Sequence, residues 1–73
     1  MDIREAMIKA LRKRYEAVIE EAKATAEVYL HRPVGIGEHP QFVEELDKLI
    51  SKIAEAEDKL TVVNQRFDLD IPF

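Results

Sequence analysis

The chain has no cysteine or tryptophan, only two glycines and three prolines, and Ser51 as its sole serine. Lack of cysteine excludes a disulfide scaffold, thiolate metal sites and thiol chemistry. Ser51 sits beside Lys52 within an amphipathic stretch, with no base spaced to activate it, and no paired carboxylates suggest acid–base work. The sequence therefore predicts no enzyme. No apolar run approaches the roughly 20 residues that cross a bilayer. Met1-Asp2-Ile3-Arg4-Glu5 leads straight into charged helix, without the pattern of a signal peptide. A soluble, cytoplasmic protein with no membrane partner is expected. Eleven basic against 15 acidic residues give a net charge of -4, which argues against general attraction to nucleic acid or anionic lipid.

What is present is helical composition in one small domain of 73 residues, without internal repeats or low-complexity tracts. Residues 2–30 contain neither glycine nor proline. Their apolar stripe runs through Met7, Leu11, Tyr15, Val18, Ala22, Ala26 and Tyr29. Its period of about 3.67 predicts a helix some 43 Å long. Residues 31–39 hold both glycines, both histidines and Pro33. Pro40 suits the first turn of a second helix, over 40–67, because its missing N–H has no partner there in any case. Phe42, Leu46, Leu49, Ile53, Ala56, Leu60, Val63 and Phe67 follow in alternating steps of four and three, an unbroken heptad seam. Glu44–Lys48 and Glu55–Lys59 add pairs at helical spacing.

The expected fold is all-α: an antiparallel hairpin of two matched helices. If facing residues sum to about 71, Tyr29 meets Phe42, Ala22 meets Leu49 and Tyr15 meets Ala56, large against small. That register also sets Lys13 near Asp58 and Arg14 near Glu57. Two helices joined along one seam leave half of each wet, and a domain this small has little interior of its own. Ile8, Ile19, Leu30, Val43 and Ile50 fall off the expected seam and are candidates for an oligomer interface. A homo-oligomeric bundle, a dimer or higher, would cover them.

The connection His31-Arg32-Pro33-Val34-Gly35-Ile36-Gly37-Glu38-His39 reads first as a turn. Arg32 before Pro33 ends the first helix, the glycines permit positive φ, and Glu38 favours the next helix start. His31, Arg32, Gly35, Gly37 and His39 are also the candidate ligand-binding residues, with a nucleotide phosphate as the ligand. A lone G-x-G without a lysine makes no phosphate cradle, and His31-x7-His39 matches no metal-ligand spacing, so neither metal nor cofactor is expected. Residues 1–14 carry a local charge of +3 and the remainder -7. Arg12-Lys13-Arg14 points around the helix rather than to one side, which favours a solvated, ion-paired face over a nucleic-acid site.

In the short tail 68–73, Phe67, Leu69, Ile71 and Phe73 alternate with polar residues or proline, as in an extended segment that docks one side. It has two readings: folding back onto the bundle, or a partner-binding motif through Leu69, Ile71 and Phe73. Leu69-Asp70-Ile71-Pro72-Phe73 resembles the last five positions of the hexapeptide by which bacterial proteins bind the replication sliding clamp. Asp68 departs from it, standing where that motif prefers glutamine.

From Tyr29 to Pro40 and into Glu45-Leu46-Asp47-Lys48-Leu49, the chain resembles small helical-hairpin accessory proteins of tailed bacteriophages. The resemblance implies a short product that acts in the host cytoplasm by stoichiometric binding to a host or phage protein, as an inhibitor for example. Two alternatives stand beside it. One is an oligomeric sponge for a nucleotide signal of host defence, on similarity of size and helical build to phage proteins of that kind. The other is a sliding-clamp ligand that uses the tail.

Overall fold

The computed structural model describes residues 2–31 and 39–67. They form two helices, α1 (Ile3–His31) and α2 (His39–Arg66), of 29 and 28 residues. Neither is long and apolar enough to cross a membrane. The start of α1 is fixed chemically. The Asp2 carboxylate accepts a hydrogen bond from the Glu5 amide at 2.7 Å, while the Asp2 carbonyl accepts the Ala6 amide at 3.2 Å. Asp2 thus satisfies an amide that no helical carbonyl can reach. At the far end His31 Nδ1 donates to the Glu27 carbonyl at 2.9 Å, engaging an oxygen of the last turn. Pro40 falls within the first turn of α2, and Phe67 continues the hydrogen bonding of α2 by donating to the Val63 carbonyl at 2.9 Å.

The helices pack against each other, and two contacts fix their direction. At one end the Tyr29 and Phe42 rings meet edge to face, with centroids 5.2 Å apart. At the other, Ile8 shares a groove with Val63 and Phe67. The end of α1 therefore lies on the start of α2, and the hairpin is antiparallel. Both contacts obey the expected register, since Tyr29 with Phe42 and Ile8 with Val63 each sum to about 71.

The seam of α2 follows the heptad set anticipated from the sequence as far as Val63: Phe42, Leu46, Leu49, Ile53 and Leu60 are half-buried, and Ala56 and Val63 buried. Phe67, also expected in the seam, lies past the end of α2 and is 48% exposed. The seam of α1 differs from expectation in its first half. Met7 and Leu11 are 61% and 38% exposed, whereas Ile8 is only 6% exposed. At seam positions the residues turned inward are Glu5, Ile8, Arg12, Tyr15, Ile19, Ala22, Ala26 and Tyr29, at steps of three and four, with Arg4 and the expected Val18 half-buried beside them. The reason is geometric. A helix that stays against a strict heptad partner over eight turns must present its own residues at 3.5 per turn, not 3.67. The longer-period stripe drifts off the interface toward the N-terminus, and Arg12 replaces Leu11 in the seam. Burial of alanines 22, 26 and 56 keeps the helices close.

Candidate functional site

The hairpin is a rod of 55 × 18 × 14 Å, so nearly everything it can offer a partner lies on its two long flanks. One flank is a groove. Its central section, about 420 Å³, has a floor of Tyr15, Val18, Ala22, Leu49 and Ala56. The rim is charged: Arg14 and Glu21 stand on α1, Lys52, Glu55 and Lys59 on α2. A second section of about 380 Å³ extends it toward the chain termini past Tyr15 and Lys59, and is walled mainly by Ile8, Leu11, Val62, Val63 and Phe67. Lys59 marks the junction. Its ammonium lies 3.1 Å from Glu55 and 5.8 Å from the centre of the Tyr15 ring. The cation is thereby held over the groove between a carboxylate and a π face.

The opposite flank follows from the heptad. Residues seven apart share a face, and the antiparallel register sets Leu30 across from Val43, with Ile50 one heptad further along. These three side chains are more than half exposed. The five interface candidates therefore divide. Leu30, Val43 and Ile50 form an open apolar flank near the loop, while Ile8 is buried and Ile19 half-buried at seam positions within the hairpin. Seam burial accounts for both without a second chain. Met7, Leu11 and Val62, exposed along the groove flank, were missed as surface candidates because the 3.67-residue stripe assigned the first two to the interior.

The loop candidates are not brought together among the described residues. Arg32, Gly35 and Gly37, and the side chain of His39, lie outside them. His31 is exposed and turned back on its own helix, with Nδ1 also 3.5 Å from the Glu27 carboxylate. Among the described residues no group of three or more histidines and carboxylates could hold a metal ion. The tail candidates Leu69, Ile71 and Phe73 likewise lie outside the described residues.

The expected ion pairs rearrange. Glu55–Lys59 closes, but Lys48 reaches Glu45 at 3.4 Å instead of Glu44. Among the described residues neither Lys13–Asp58 nor Arg14–Glu57 closes. Arg14 lines the groove, whereas Glu57 shares a heptad position with Val43 and Ile50 on the other flank. Asp58 lines the groove near the termini, and Lys13 lies on the far side of α1 from it. Equal height along the rod does not make two residues neighbours when they stand on opposite flanks.

Against known protein families, curated proteins and solved structures, the chain matches none.

Proposed function

We propose that this protein is a self-associating helical hairpin that acts by stoichiometric protein binding and carries out no chemistry of its own. Exposed apolar side chains carry the reading. Met7, Val28 and Val62 on the groove flank, and Leu30, Val43 and Ile50 on the other, are 44–66% exposed in the single hairpin. Two such flanks suit one contact with a copy and another with a different protein. A cytoplasmic host or phage protein is the proposed target, a choice that rests only on the resemblance read from Tyr29–Pro40 in the sequence.

Sedimentation at micromolar concentration tests the first half: a dimer or larger species is expected, and a cooperatively melting monomer would overturn the reading. The second half is tested with the Val43→Asp, Ile50→Asp double variant. A protein captured from lysate in a fixed molar ratio by the natural chain should be lost by that variant while helicity is kept. Equal capture by both would refute the flank as a binding surface.

A further inference from the structure

We infer that the groove flank receives a second copy of this chain, docked about a two-fold axis that crosses the rod at the level of Val18. The inference deepens the self-association reading and rests on it. Its basis is a symmetry in the rim charges. On α1, Arg14 and Glu21 stand seven residues apart, and their midpoint falls between Ala17 and Val18. On α2, Lys52 and Glu55 have their midpoint between Ile53 and Ala54. The hairpin register, in which facing residues sum to about 71, brings these midpoints to one level along the rod. A two-fold axis there, perpendicular to the rod, carries each of these four charges onto its opposite. Arg14 comes onto Glu21 of the second copy and Lys52 onto its Glu55, and each pair is repeated by symmetry.

The apolar positions obey the same operation. Met7 comes onto Val28 of the second copy, and Val18 meets itself near the axis. Met7 and Val28 are both more than half exposed in the single hairpin. Each helix gains an antiparallel copy of itself, giving a four-helix bundle whose neighbouring macrodipoles oppose. Lys59 approaches Lys48 of the copy, but Glu55 already holds the first at 3.1 Å and Glu45 the second at 3.4 Å.

Competing arrangements fare worse. A two-fold axis parallel to the rod sets Arg14 level with position 57 of the copy, midway between Glu55 and Lys59, and so gives it no single partner of opposite charge. On the other flank α1 offers Lys9, Glu16 and Lys23 before Leu30, so its apolar residues cluster near the loop. Size is also adequate. A flank 18 Å across and about 40 Å long presents on the order of 700 Å² in projection, close to the usual share of one partner.

The absence of cysteine makes the test clean. Val18→Cys should oxidise to a covalent dimer, and Ile50→Cys, on the opposite flank, should not. Arg14→Glu should weaken the dimer roughly tenfold, since two attractive pairs become repulsive. Adding Glu21→Arg should restore it, with helicity unchanged throughout; the two residues lie about 10.5 Å apart along one helix, so rescue must act between copies. A natural chain that sediments as a monomer would defeat self-association itself. A dimer in which Val18→Cys stays uncoupled, or in which the second charge change brings no rescue, would defeat this docking alone.

Discussion

The ring of Tyr29 meets that of Phe42 at 68°, edge to face, and pins the loop end of the hairpin. Both residues are half-buried, so the pair unites apolar burial with favourable ring electrostatics. Phe42→Ala should cost about 2 kcal/mol, less than a fully buried phenylalanine would. At fixed protein concentration the melting temperature should fall by roughly 10 °C. A fall within 2–3 °C, on the order of 0.5 kcal/mol, would show that the rings do not hold the helices together.

Asp2 caps α1 through a 2.7 Å bond to the Glu5 amide. Asp2→Ala should lower stability by about 1 kcal/mol, and Asp2→Asn, which keeps an acceptor oxygen, by only a fraction of that. Urea denaturation followed by circular dichroism separates the two. Equal losses would mean that charge near the helix start matters more than the hydrogen bond.

Arg12 occupies a seam position, and its Nε is buried without a hydrogen-bond partner. An unsatisfied buried donor costs about 1–3 kcal/mol, and a leucine there would continue the apolar line. Arg12→Leu should therefore raise the urea midpoint by an amount equivalent to about 1 kcal/mol or more. A lowered midpoint would show that the guanidinium contributes more to the fold than its desolvation removes.

Ile8 and Val43 test which apolar residues belong to the hairpin. Ile8→Ala should cost about 3 kcal/mol, as a buried isoleucine does. Val43, 66% exposed, should change stability by less than about 0.5 kcal/mol when replaced by alanine. Similar losses at both sites, measured at the lowest workable concentration, would move Val43 into an interface present even in dilute solution.

The two helices, their direction and the seam of α2 as far as Val63 were legible because those features follow from local chemistry. Glycine and proline punctuate the turn, and a heptad of large apolar residues admits one face. The phase of α1 was not. Its seam holds Glu5 and Arg12 where a pattern reader looks for apolar side chains, while Met7 and Leu11 lie outside it. The repeat of one helix was set by its partner, a constraint absent from its own residues. Flank assignment failed for a related reason: a register fixes height along the rod, but only rotational phase says that Arg14 and Glu57 stand on opposite sides. The groove became visible once that phase was known.

Because the two helices touch along a single line, each layer of side chains is steadied only by the layers above and below. Glu5 and Arg12 lie toward the terminal end of that line, and the Tyr29–Phe42 rings close its other end. Opening therefore proceeds like a zipper, from the termini toward the turn, and amide exchange should be fastest around residues 3–12 and 60–67. A ligand that inserted between the parted ends would trade places with one helix rather than dock on both.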